Sequence, residues 1–257
     1  MPQPQEKHIE INSELTDRLS SKNYLSEMEF FRYMRTIDSL KNVGIQSYLY
    51  ALLYAAYEDK AKAISFFEES LTYGIDIAPN NYIAYLNTHG CFSEVKEVST
   101  RLGRIIPDKS ICYTAFQCSL LSGDREGALF FYSRFNKMVD SDEAKDMANR
   151  LAEAEHLMQD FKEKVGLSDR EFQVLAETTI SVMKDHGKNL DGVGYHTFPE
   201  ERSYSYILMV NCSNPEKIAD MNIDLAFALA DKEELTGKLF SAWFKGVTGG
   251  DNAGIIY

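Results

Sequence analysis

The chain has 257 residues, with 39 Asp and Glu against 27 Lys and Arg, a formal net charge of −12. Hydrophobic residues make up 44% of it, enough to bury the core of one large or two ordinary domains. The acidic balance repels phosphate backbones and anionic lipid, and no basic run offsets it, so neither nucleic acid nor a membrane is an expected partner.

Residues 1–12, with their prolines, glutamines and charges, read as a loose segment with a short extended piece at His8–Ile11. They lack the apolar stretch of a secretory signal. From Ser13 to Leu40 helix signals dominate: Phe30, Phe31, Met34, Ile37 and Leu40 recur at helical gaps, which predicts an opening helix pair. Three helix-pair units follow, over about 43–74, 75–106 and 108–139. The longest nearly apolar run, Tyr48–Tyr57, is about half of what a bilayer span needs. Ala63, Val95 and Ala128 take the same place in each unit, 32 and 33 residues apart. Five residues before them stand Glu58, Gly90 and Gly123, where a tight turn would join the two helices. Such a period predicts stacked helix pairs, which bury a continuous core only together and leave a concave face for a partner.

Over residues 43–139 the chain resembles the tetratricopeptide repeat family. Ala63 with Phe67, Ala128 with Tyr132, the turn glycines Gly90 and Gly123, and Tyr54 match that family's small and aromatic positions. The second unit departs from it, with Val95 and Ser99, and no unit opens on the family's tryptophan. The resemblance implies a binding groove lined by the first helix of each unit. Its inward positions carry over to Tyr48 and Leu52, then Asn80, Ala84 and Asn87, then Tyr113 and Gln117. Amides there would bond an extended backbone, and tyrosines would supply apolar area. The alternative is that both tyrosines pack between helices.

Beyond residue 140, Ala144, Met147, Leu151, Ala154, Met158, Phe161 and Val165 alternate at gaps of three and four. That seam suits a helix capping the array, or a coiled-coil dimer. Ser168 and Glu171 have capping-box spacing ahead of a further helix. Strand-like runs follow at 193–198 and 204–211, joined by Pro199–Arg202. A helix opens on Asn214 and Pro215, and a third strand covers 239–247. The predicted architecture is thus mostly α: a tetratricopeptide-like solenoid with its capping helix over 1–165, then a small helix–strand–strand–helix–strand α+β domain over 166–257.

The expected function is a non-catalytic scaffold, an adaptor or chaperone-like protein that binds a protein or peptide segment. No cofactor and no metal are expected. His186, Asp191 and His196 are the best metal candidates, but their five-residue spacing suits neither a helix face nor a strand face. A hydrolase or small-ligand sensor in the C-terminal domain is the alternative, and an antitoxin or immunity-type binder a third. The tail Gly254–Tyr257 could pack on its own domain or add a strand to a partner. Cys91, Cys112, Cys118 and Cys212 have no metal-like or redox-like spacing, which predicts buried thiols and a cytoplasmic location.

Overall fold

The computed structural model describes residues 4–198 and 203–247. Among them are eleven α-helices, one short 3-10 turn and a three-stranded sheet. The chain is therefore mostly α, with an α+β region toward its C-terminus. It divides into two compact units, Met1–His89 and Gly90–Tyr257. The connection at 199–202, the glycine-rich Gly249–Asp251 and the tail Gly254–Tyr257 lie outside the described residues.

The first unit holds α1 (Pro4–Ser21), α2 (Glu27–Asp38), α3 (Val43–Ala56), α4 (Lys60–Thr72) and α5 (Ala78–His89). Where a loose N-terminus with an extended piece is expected, the chain is helical from Pro4. The reason is tertiary: Ile11 and Leu15, one turn apart, are buried, and α1 packs on α3. A segment this polar has too faint a stripe to be read alone. α2 begins with a full capping box, Ser26 with Glu29. Hydrogen bonds from Ser26, joined by the Arg18 guanidinium 2.6 Å away, hold the Glu29 carboxyl at about 2. Phe30, Tyr33 and Ile37 face inward on α2, while Phe31 turns to solvent.

α3 is apolar nearly all round because α1, α2 and α4 all pack against it. That surrounding accounts for the run at 48–57. The link from α3 to α4 turns on Glu58, held in the left-handed region at φ 62°. Asp59 then caps α4, its Oδ1 accepting from the Lys62 N–H at 3.1 Å. A side chain in that region costs about 1 kcal/mol. Glu58→Gly should therefore stabilise the protein by about 0.5–1 kcal/mol in chemical denaturation; a loss of stability would show that no strain resides at this turn.

The second unit runs through α6 (Phe92–Ile105), α7 (Lys109–Leu121), α8 (Arg125–Phe135), α9 (Ser141–Val165) and α10 (Asp169–Asp185). It continues with β1 (Leu190–Phe198), β2 (Ser203–Asn211), α11 (Pro215–Ala230) and β3 (Ser241–Val247). The order helix, strand, strand, helix, strand is as expected. The expected boundary at 165 falls inside this unit, where α9 packs on both β1 and β2. The seam of α9 is spent there. Met147 and Leu151 join a core with Phe116, Ala128, Phe131 and Phe135, and Phe161 meets Tyr195 and Tyr206 at 5.5 and 6.2 Å between ring centres.

β2 is central: antiparallel to β1, with Tyr195 opposite Tyr206, and parallel to β3, with Leu208 opposite Phe244. Being covered on both faces, it is buried continuously over 205–210. A parallel neighbour requires a crossover, and α11 supplies it. The outer edge of β3 would leave backbone groups open, and Asn222 of α11 occupies them. Its Oδ1 accepts from the Phe244 N–H at 2.6 Å and its Nδ2 donates to the Phe244 carbonyl at 3.2 Å, standing in for a further strand. Gly246 is required next to this contact, because a Cβ there would lie 2.3 Å from the Cys212 carbonyl oxygen.

Candidate binding cleft

A largely apolar cleft that includes the expected groove residue Tyr113 lies in the second unit, between the first turns of α7 and α9. Each turn is fixed by its own cap. After Pro107, the Asp108 Oδ1 accepts from the Ile111 N–H at 3.0 Å and starts α7. The Asp140 Oδ1 accepts from the N–H groups of Asp142 and Glu143, both at 3.0 Å, and starts α9. Acidic residues belong in such first turns, where they meet the positive end of the helix dipole. Lys109 joins the two helices, its Nζ donating to both Glu143 oxygens at 2.5 and 2.6 Å.

Between them opens a cleft of about 700 Å³ whose apolar side is Tyr113, Phe135 and Met147. Phe135 and Met147 are buried and belong to the core beneath, so they form a firm base. Tyr113 is half-buried, its ring centre 5.9 Å from that of Phe135. Its hydroxyl accepts a hydrogen bond from Gln117 Nε2 at 3.1 Å, one turn along α7. The polar side carries Asp108, Asp142, Glu143 and Asp146 against the single ammonium of Lys109. Arg150 steadies Asp146 at 2.9 Å. The turn from the other end of α7 into α8 is tightly built: at Gly127, in the first turn of α8, a Cβ would come within 2.4 Å of Asp124 Oδ2. An apolar side chain can lie against Tyr113 while a Lys or Arg beside it reaches the carboxylates.

The seven expected groove residues divide between the units. Tyr113 and Gln117 are brought together as described. In the first unit Tyr48 and Leu52 are 2% and 1% exposed, so they serve packing there and offer a partner almost no surface. This corrects their expected place in the groove. Asn80 is half-buried, and Ala84 and Asn87 are exposed on α5. The Tyr48 hydroxyl donates to Asn12 Oδ1 at 2.6 Å and accepts from Asn81 Nδ2. It lies at the floor of a smaller cleft of about 300 Å³ rimmed by Ile9 and Ile77.

Sequence reasoning misses Met147 and the acidic rim as parts of a site. The signal present was the cluster Asp140, Asp142, Glu143 and Asp146 at the start of a helix; what was missing was that this helix start faces α7.

The alternative chemistry gathers no comparable set. His186 Nε2 lies 2.8 Å from Asp224 Oδ2, and burial raises the Asp191 carboxyl above its usual range. Among the described residues no three His, Cys, Asp or Glu side chains converge as metal ligands. Burial pushes the Cys118 thiol up to about 12 and raises that of Cys112, so neither offers a thiolate nucleophile near neutral pH. Among the described residues no helix is long and apolar enough to cross a membrane.

No protein-family model matches the chain, and comparison with curated proteins and with solved structures gives no match.

Proposed function

We propose that the protein is a non-catalytic, tetratricopeptide-like scaffold whose α7–α9 cleft holds a basic segment of a partner protein, anchored by an apolar side chain. The observation that carries this reading is the apolar base of Tyr113, Phe135 and Met147 set among four carboxylates and one ammonium. Aromatic anchors dominate such interfaces, and complementary charge sets partner choice and encounter rate.

The repeat reading draws support from two turns of the same hand. Glu58 at φ 62° and Gly123 at φ 71° stand at equivalent places, and each precedes by five residues a fully buried alanine, Ala63 and Ala128. The four cysteines are buried and unbridged, which suits a reducing compartment such as the cytoplasm.

The test is capture of partners by the full chain, followed by affinity measurement for each partner against two variants. Tyr113→Ala should weaken binding at least about tenfold, through loss of a central aromatic contact. Asp142→Lys with Asp146→Lys should weaken it as strongly and flatten its salt dependence. Asp142 and Asp146 are exposed and Tyr113 is half-buried, so circular dichroism of each variant separates lost binding from lost fold. A partner held equally well by both variants would remove this cleft from the function.

A further inference from the structure

α11 buries only Met221 and Leu225 against its own unit and turns the opposite face outward. Along that face lie Ala219, Ile223, Ala226 and Ala230, at gaps of four, three and four, with Phe227 beside them. Ile223 is 54% exposed and Phe227 70%, large values for side chains of this size one turn apart on the same helix. We propose that this face docks an amphipathic helix of a partner protein, one with an apolar stripe edged by Lys or Arg.

The spacing of the stripe is that of a helix–helix seam. Three of its positions are alanines, which let a second helix axis approach to about 8–10 Å and leave Ile223 and Phe227 as the projecting contacts. An extended strand would find no backbone partners on a helix surface. Charge decides the rest. Glu216, Asp220 and Asp224 stand on successive turns along one edge of the stripe. Asp224 is met by His186, and Lys217 is the one cationic side chain on the helix. A second copy of the chain is a poor occupant: an antiparallel pair about a two-fold axis would set this acidic edge against itself, and each copy carries a net charge of −12. A basic edge on the incoming helix removes the repulsion.

The probe is a labelled helical peptide of about 18 residues, with Leu at the i, i+3, i+4 and i+7 positions and Lys along one edge. Its counterpart has Glu for every Lys. Each is titrated with the full chain and read by fluorescence anisotropy. The Lys peptide should bind at least about tenfold more tightly than the Glu peptide, and Phe227→Ser should cost it about tenfold or more. Asp220→Lys should narrow the gap between the two peptides. Phe227 is largely exposed, so its replacement leaves the fold intact.

Equal binding of the two peptides, or binding indifferent to Phe227→Ser, overturns the proposal. So does a loss on Tyr113→Ala alone, which would place the probe in the α7–α9 cleft. A dimer in sedimentation equilibrium that Phe227→Ser dissolves would assign the face to a second copy. Binding gained only on deletion of residues 248–257 would assign it to the chain's own C-terminal residues.

Discussion

Tyr48→Ala should cost the first unit about 3–5 kcal/mol of stability, and Tyr48→Phe about 1–2 kcal/mol. The side chain is 2% exposed, so truncation leaves a cavity that the surrounding helices fill only in part. Its hydroxyl joins Asn12 of α1 to Asn81 of α5, and removing it strands both amides. Burial pushes the phenol up to about 12, so at any ordinary pH it stays a neutral donor to Asn12. Urea denaturation followed by circular dichroism gives the difference between wild type and each variant. If Tyr48→Ala unfolds with the wild-type midpoint, its role as a packing residue is wrong and a surface role returns.

Phe161→Ala should destabilise the second unit by about 3–5 kcal/mol as well, whereas Phe161→Leu should cost about 1 kcal/mol. Phe161 is fully buried and sits among Tyr195, Tyr206 and Phe240, with ring centres 5.5 to 6.5 Å away. It is the point at which α9 grips the sheet. Near-ultraviolet circular dichroism of the neighbouring tyrosines should weaken with the stability. A coiled-coil role for the same seam would give the opposite pattern: an altered sedimentation coefficient with the midpoint unmoved.

These two residues also mark how far the sequence could be read. Periodicity located Phe161 on an apolar seam, and the seam is buried, yet nothing in a heptad pattern says whether a repeat, a second copy or a sheet will cover it. Tyr48 lay at an inward position by resemblance, and the packing of α1 on α3, with the hydroxyl bonded to Asn12 and Asn81, leaves it almost no exposed surface. The pairs α3–α4 and α7–α8 and the strand order were legible because caps and turn residues are local signals: Ser168 with Glu171, Asn214 with Pro215, Gly123 with Asp124. The expected pairing of α5 with α6 was not, since the two compact units divide between His89 and Gly90. The N-terminal helix was not, because its stripe is Ile11 and Leu15 in a charged background, stabilised by a partner helix 30 residues on. The cleft was half legible. Tyr113 and Gln117 lie one turn apart on one helix, but Met147 and the carboxylates come from α9, and their meeting depends on how two helices that are distant in sequence pack.

The crossover through α11 has a consequence for the order of events during synthesis. β2 leaves the ribosome with β1 already made, so that hairpin can close at once, but residues 212–240 must follow before β3 exists. Through that interval one side of an uninterrupted buried strand, Ser205–Val210, has no neighbour, and non-local parallel pairing is slow to arrive. A pause in translation over α11 would prolong the exposure, and a chain arrested there would present the most association-prone segment of the protein to its surroundings.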